Sequence, residues 1–268
     1  IEESAGQKKP FFVYLPDNCP HGPFHDVPPK DLATYREVDL QNSAFPQNKG
    51  HKLPAKADSD KRARIFAMIT NVDRNVGRLQ KKLESLGIAD NTIVIFMVDN
   101  GPNGRRYVAG FNGNKSTVWE GGIRSPFFVQ WPARLKAGQT SDIASAHIDV
   151  LPTLLDAAGV KPPANLKLDG RSMLPFLEDK SFAAHDRHLV IQSHRGDKPV
   201  RYHNFMIRNS RWKLVHASGF GRESFNGPPA FHLYDLSADP FELNNLAPTR
   251  RDVVNEMKAE YDRWFDDV

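Results

Sequence analysis

The sequence predicts an α/β protein: a mainly parallel or mixed sheet flanked by helices, plus a small C-terminal antiparallel sheet packed with a terminal helix. Two observations predict this class. An unbroken apolar run at 93–98 follows a long segment with one apolar face, and the order strand, helix, strand is typical of parallel sheets. Beyond residue 183, short apolar runs are separated by turn-rich segments without helices, which indicates antiparallel pairing.

The first predicted domain covers residues 1–182 and contains the larger sheet. Residues 11–15, "FFVYL", form an apolar run closed by Pro16, which predicts a buried strand. Apolar residues at three- and four-residue steps predict a helix over 61–87, with Ser59 or Asp60 as its cap. The run "NTIVIFMV" at 91–98 does not alternate, which predicts a strand buried on both faces. Further apolar patterns predict a strand at 125–132 and a helix at 148–160.

The second predicted domain covers residues 183–268 and is a small α+β unit. Its strands are predicted in "HLVIQ", "HNFMIR", "RWKLVH" and "FHLYDL". The segment 253–265 is amphipathic, so we expect a helix that packs on this sheet.

Composition limits the classes of function. Hydrophobic residues make up 40% of the chain and charged residues 25%, as in ordinary soluble proteins. The net charge is +4, but Lys and Arg are spread along the chain, so nucleic-acid binding has little support. A single cysteine excludes a disulfide within the chain, and no apolar stretch approaches the roughly 20 residues that span a bilayer.

Asp99 and Asn100 follow the run at 93–98 directly and are the first candidate site residues. In open α/β sheets, binding sites lie outside the carboxyl ends of parallel strands. A carboxylate and an amide carbonyl are hard oxygen donors that suit Ca²⁺ or Mg²⁺. The alternative is that Asp-Asn-Gly is simply a good turn sequence, and two ligands fall short of the six to eight that Ca²⁺ takes.

Lys115 and His21 are the other candidates. Lys115 lies in "FNGNKSTVWEGG", where glycines allow the backbone to approach an anion and the lysine can neutralise a sulfate or phosphate oxygen. His21 has a pKa range suited to acid–base work, although a solvated loop residue is the alternative for both. Arg124 could act like Lys115 or pair with Glu120, and His147 could line the same cleft or be structural.

Taken together, these residues resemble the sulfatase family of the alkaline-phosphatase-like superfamily. The resemblance runs over nearly the whole chain and is strong because seven segments occur in the family's order. They are "PFFVYLPDNCPHGPF", "MITNVDRNVGRLQKKLESLGIADNTIVIFMVDNG", "GNKSTVWEGGIRSPFFVQWPARLKAG", "HIDVLPTLLDAAGV", "LDGRSMLPFL", "WKLV" and "LYDLSADPFELNNLA". The resemblance implies an alkaline-phosphatase-like fold and hydrolysis of sulfate esters.

The resemblance also implies roles for individual residues. Asp99 and Asn100 match ligands of a divalent metal, usually Ca²⁺. Lys115 matches a lysine that contacts the sulfate and the leaving oxygen, and His21 matches a histidine near the leaving group, a candidate general acid. Family members attack sulfur with a formylglycine hydrate made from Cys or Ser in Cys/Ser-x-Pro-x-Arg.

This sequence departs from the family in two respects. It contains no Cys-x-Pro-x-Arg or Ser-x-Pro-x-Arg, and it lacks the family's Asp-Asp metal pair. We therefore expect that residues 1–182 are the C-terminal part of a sulfatase catalytic domain, that the formylglycine belongs to a missing N-terminal half, which is a possible partner, and that this chain alone is inactive.

Two alternative hypotheses on the function stay open. One is a phosphodiesterase or phosphonate hydrolase of the same superfamily, and another is a non-catalytic remnant. The expected substrate is a sulfated small molecule or carbohydrate, with specificity in the loop 27–56 and in segment 193–204. The resemblance favours a periplasmic or secreted location.

Overall fold

The computed structural model describes residues 1–179, 186–219 and 227–268. They form two compact units. The first unit comprises Ile1–Pro46, Pro54–Ile95 and Val129–Ala137, and the second comprises Gln47–Leu53, Phe96–Phe128 and Gly138–Val268. The domain boundary predicted near residue 183 lies outside the described residues and stays a prediction.

The first unit is built around one long helix. Its helices are α1 (Glu2–Gly6), α2 (Pro29–Arg36) and α3 (Ser59–Ser85), with 3₁₀ turns at Asn42–Ala44 and Ala89–Asn91. The predicted helix α3 is confirmed, but its cap is Asp58, whose Oδ1 accepts a hydrogen bond from the Lys61 amide at 2.9 Å. Gly87 follows the helix with φ of 65°, a conformation that glycine adopts without strain.

The strand predicted at residues 11–15 is wrong. This segment has no regular secondary structure, and Phe12 and Leu15 are exposed to 76% and 63%. A strand requires a hydrogen-bonded neighbour, and among the described residues none of the strands pairs with this segment. The apolar pattern was therefore not sufficient to define a strand.

Strands β1 (Val94–Met97) and β2 (Phe127–Gln130) form a two-stranded sheet. Both strands were predicted, but they are more exposed than expected. All four residues of β1 are only half-buried, so the prediction of burial on both faces is wrong. In β2, Phe128 is 66% exposed.

The second unit contains the predicted C-terminal antiparallel sheet. Its strands are β3 (Leu189–Gln192), β4 (Phe205–Arg208), β5 (Trp212–His216) and β6 (His232–Asp235), paired antiparallel in chain order. Its helices are α4 (Glu120–Ile123), α5 (Val150–Ala157), α6 (Leu174–Glu178) and α7 (Arg251–Asp267), with a 3₁₀ turn at His147–Asp149. The α/β class with a small antiparallel sheet and a terminal helix is confirmed.

Both faces of the C-terminal sheet are covered. On one face, α7 packs against alternate residues of the strands, and this core consists of Phe205, Ile207, Leu214, Leu233, Val253, Met257 and Tyr261. On the other face, Met206, Val215 and Tyr234 pack against Val118. The sheet therefore supports the chain segment that continues from Lys115. No helix in the described part of the chain is long and apolar enough to cross a membrane.

Candidate functional site

The backbone before Asp99 is fixed by three hydrogen bonds in the second unit. The Val98 carbonyl accepts hydrogen bonds from Ser125 Oγ at 2.6 Å and from His147 Nε2 at 3.1 Å. The Val98 amide donates to the Pro126 carbonyl at 3.2 Å. His147, for which the sequence left two roles open, thus has a structural contact next to a candidate ligand.

The backbone after Asn100 is fixed by close glycine packing. The Gly101 amide donates to the Gly122 carbonyl at 2.8 Å. A Cβ atom at position 101 would lie 2.0 Å from the Gly121 carbonyl oxygen, which no side chain can do. Only glycine therefore allows the turn that carries Asp99 and Asn100 to pack here.

The loop that carries Lys115 packs against the same turn. The Lys115 amide donates to the Pro102 carbonyl at 2.9 Å. Gly113 has φ of 80°, and a Cβ atom there would lie 2.4 Å from Thr117 Oγ1, which itself donates to the Asn114 carbonyl at 2.8 Å. The close neighbours of Gly113 are thus side-chain atoms of Thr117 and Trp119, and the expected approach of this loop to an anion stays a prediction. We call residues 98–117 the glycine-loop assembly.

The side chains of Asp99, Asn100 and Lys115 have no polar partner among the described residues. Within residues 1–179, 186–219 and 227–268, none of the three makes a side-chain hydrogen bond or an ion pair. Asp99 is exposed, and the other two are half-buried. The structure thus brings the backbones of these three predicted residues into one loop assembly and leaves their polar groups available to a ligand.

The donor set fits a hard divalent cation in part. Asp99 offers carboxylate oxygens and Asn100 an amide oxygen, the ligand types that Ca²⁺ and Mg²⁺ prefer. No group of three or more His, Cys, Asp or Glu side chains among the described residues could hold a metal ion. These two residues would therefore supply only a minority of the six to eight oxygens that Ca²⁺ takes.

His21 lies in the first unit, on an exposed loop. Its Nδ1 lies 2.7 Å from the Gly22 carbonyl oxygen. Because a carbonyl only accepts, Nδ1 carries the hydrogen, and Nε2 is the nitrogen that can gain or release a proton. The prediction that His21 lies beside Asp99 and Lys115 stays a prediction.

Arg124 forms no ion pair with Glu120 among the described residues, and its possible role in binding an anion stays a prediction. Its guanidinium lies over the Phe111 ring, 4.7 Å from the centroid. Glu120 instead pairs with Lys213 Nζ at 2.9 Å and with Arg208 Nη1 at 3.4 Å. The i, i+4 spacing within α4 was outweighed by partners from the C-terminal sheet.

A buried ion cluster that the sequence did not reveal lies beside the glycine-loop assembly. Lys213 is fully buried between Glu120 and Glu242, and its Nζ lies 2.7 Å from Glu242 Oε1 as an ion pair without hydrogen-bond geometry. Burial alone would raise the pKa of Glu120, but Lys213 and Arg208 hold it below its ordinary value. Burial raises the pKa of Glu242, and Lys213 offsets this only partly. Strand alternation, which puts Lys213 on the face opposite Leu214, was the one available signal.

Two family models match the chain. The model described as "Sulfatase" matches residues 1–160. The model described as "N-sulphoglucosamine sulphohydrolase, C-terminal" matches residues 111–265. Together they cover the two units almost completely.

Curated relatives carry the same family name. An N-acetylglucosamine-6-O-sulfatase of Bacteroides thetaiotaomicron is 31% identical over 220 residues, which covers 80% of this chain and 36% of that protein. The uncharacterized sulfatase YdeN of Escherichia coli K12 is 34% identical over 299 residues, covering 99% of this chain and 48% of that protein. The chain thus spans about half or less of the length of these relatives.

Solved structures have the same fold. The candidate sulfatase yidJ of Bacteroides fragilis matches with a TM-score of 0.76 at 22% identity, over 99% of this chain and 56% of that chain. A phosphonate monoester hydrolase of Silicibacter pomeroyi matches less well, with a TM-score of 0.53 at 22% identity, over 77% of this chain and 40% of that chain. With more than half of its residues matched by the family model, this chain belongs to the sulfatase family.

Proposed function

We propose that this protein hydrolyses sulfate esters and that Asp99, Asn100 and Lys115 bind the sulfate group and its metal. The observation that carries the proposal is the glycine-loop assembly. In a chain of the sulfatase family, backbone hydrogen bonds and close glycine contacts hold these three residues in one place, and their side chains have no other described partner. Polar side chains that do not contribute to the stability of the fold are available to bind a ligand.

Lys115 has an electrostatic role in this proposal. Cleavage of the sulfate ester breaks the S–O bond, and negative charge develops on the leaving oxygen. A preorganised ammonium group stabilises such charge as it forms, and removing one comparable donor typically costs a factor of about 10²–10³. Asp99 and Asn100 would hold a divalent cation, which supplies positive charge next to the sulfate oxygens when it is bound.

His21 is the proposed general acid. The hydrogen bond to the Gly22 carbonyl keeps Nδ1 protonated, so the imidazolium form releases its second proton from Nε2. That proton goes to the leaving oxygen, and neutral imidazole remains. This role requires the two units to bring His21 to the ester.

The residues of this chain do not account for the nucleophile. Membership of the sulfatase family implies a divalent cation and a formylglycine in the family. Formylglycine is made from the Cys or Ser of a Cys/Ser-x-Pro-x-Arg motif, and these 268 residues contain no such motif. No step through that group is therefore derived for this chain.

The proposed substrate class is a sulfated carbohydrate. A relative at 31% identity is named an N-acetylglucosamine-6-O-sulfatase, and the family model that matches residues 111–265 is named for an N-sulphoglucosamine sulphohydrolase. Segments 27–56 and 193–204 contain the Lys, Arg and His side chains that could contact a sulfated sugar. We also propose export from the cytoplasm, which fractionation of the host cells would test.

The test compares two ester classes in the full gene product, meaning the protein expressed with every residue that its gene encodes. We expect faster hydrolysis of an aryl sulfate than of the matched aryl phosphonate, and a large loss of both Ca²⁺ binding and rate in Asp99→Ala. The exposed Asp142→Ala variant is the control. A preference for the phosphonate would instead support the phosphonate monoester hydrolase reading, and no turnover of either ester would support a non-catalytic protein.

A further inference from the structure

Two strained residues meet beside Lys115. Ser116 has φ of 72° and Asn204 has φ of 39°, both in the left-handed region that residues other than glycine rarely adopt. The Asn204 Nδ2 donates a hydrogen bond to the Ser116 carbonyl at 3.2 Å. Such conformations are unfavourable for residues other than glycine and persist where the surroundings fix them, often at functional sites.

Asn204 is held so that its amide cannot turn away. It is 2% exposed, and Nδ2 also donates to the Ser193 carbonyl at 3.0 Å. Its backbone amide donates to Ser218 Oγ at 2.8 Å, and its carbonyl accepts from the Ser193 amide at 3.0 Å. Both amide hydrogens are therefore committed, one of them to the residue that follows Lys115.

The chain after Ser116 is fixed by contacts with the C-terminal sheet and with Glu242. Val118 is fully buried against the C-terminal sheet, and Glu120 is paired with Lys213 and Arg208. The Glu120 amide also donates to Glu242 Oε2 at 2.9 Å. These contacts lie three to five residues after Lys115, so they anchor the segment without setting the direction of the lysine.

We propose that Asn204 is a positioning residue for Lys115. The inference rests on the proposed function, in which Lys115 contacts the sulfate. The direction of the lysine stem follows from the backbone at residue 115. This backbone is held by the hydrogen bond from the Lys115 amide to the Pro102 carbonyl and by the hydrogen bond from Asn204 Nδ2 to the Ser116 carbonyl. A catalytic group displaced by about 1 Å can lose a factor of about 10² in rate.

Two variants separate the amide from the backbone conformation. Asn204→Gly keeps the left-handed φ and removes the amide. Asn204→Asp keeps the side-chain shape and replaces the donor by an acceptor. The control is Asn209→Ala in the hairpin between β4 and β5. Asn209 Oδ1 accepts from the Arg211 and Trp212 amides, and Asn209 makes no hydrogen bond to the glycine-loop assembly among the described residues.

The experiment measures two quantities in the full gene product: amide hydrogen exchange at Asn114 and Thr117, and kcat and KM on an aryl sulfate. Both Asn204 variants should exchange at least about tenfold faster at these amides, with a fall in kcat of about ten- to a hundredfold and little change in KM. Asn209→Ala should leave the exchange and kcat unchanged.

The outcomes distinguish the two claims. Unchanged exchange in both Asn204 variants, or faster exchange with unchanged kcat, would overturn the positioning role. If Lys115→Ala itself left kcat unchanged, the proposed function would fail at Lys115, and the exchange data would still decide whether Asn204 holds the loop. If one of the two Asn204 variants does not fold, the other variant decides the outcome.

Discussion

The C-terminal sheet and the glycine-loop assembly use polar side chains in opposite ways. In the sheet, the buried Lys213 is paired with Glu120 and Glu242. In the glycine-loop assembly, Asp99 and Lys115 have no side-chain partner among the described residues, although the backbone around them is tightly held. We infer from this difference that Lys213 and its two partners stabilise the fold, whereas Asp99 and Lys115 are available to the ligand that we propose.

Removing the buried lysine should have the largest effect on stability. Lys213→Met leaves Glu120 and Glu242 buried without their common cation, so the free energy of unfolding should fall by about 3–5 kcal/mol. Urea unfolding of the full gene product measures it, with the exposed Lys136→Met as the control. A loss below about 1 kcal/mol would show that the cluster is not structural and would break the comparison.

A methyl group in the glycine-loop assembly should have the next largest effect. Gly101→Ala would bring a Cβ atom to 2.0 Å from the Gly121 carbonyl, and we expect a loss of about 1–3 kcal/mol together with weaker Ca²⁺ binding. Gly77→Ala in α3 is the matched control, because nothing lies within 4 Å and alanine favours a helix by roughly 0.5–1 kcal/mol. Equal effects of the two substitutions on the melting temperature would contradict the close packing.

The smallest expected effect concerns acid stability of the sheet. Hydrogen bonds from Arg211, outweighing the effect of burial, lower the pKa of Asp235 to about 2, with a further contribution from Ser237. The folded-state pKa is depressed, so this stabilisation is present above the unfolded pKa of about 3.9 and is lost as the pH falls towards 2.

Asp235→Asn should therefore reduce the pH dependence of stability between about pH 4 and pH 2, by about 1 kcal/mol because Arg211 is more than half exposed. Thermal unfolding at a series of pH values measures this dependence. If the stability of the variant fell with decreasing pH as much as that of the parent protein, the ionised form of Asp235 would not be selectively stabilised in the folded state.

Local signals predicted much of the C-terminal sheet. Its strands are short apolar runs bounded by turn residues. Each strand pairs with the next one along the chain, so the pairing could be predicted without long-range contacts. The same kind of run failed at residues 11–15, because a strand also requires a partner, which the pattern does not supply. The cap of α3 was displaced by one residue because Asp58, Ser59 and Asp60 are all good capping residues.

Candidate site residues could be proposed from the sequence to the extent that their chemistry is local. Asp99 and Asn100 lie just after β1, and among the described residues their side chains have no hydrogen-bond or ion-pair partner. Asn204 was not predictable, since its bond to Ser116 joins residues 88 positions apart. Lys213 was not predictable either, because lysine is almost never fully buried unless it is paired.

The rate of aryl sulfate hydrolysis by the full gene product after replacement of Lys115 is the most direct test of the proposed function. Lys115→Ala should lower kcat/KM by a factor of about 10²–10³ and change the free energy of unfolding by no more than about 0.5 kcal/mol, whereas the exposed Lys136→Ala should change neither. A kcat/KM within about threefold of the parent protein would contradict the claim that the glycine-loop assembly holds its charges for a sulfate ester.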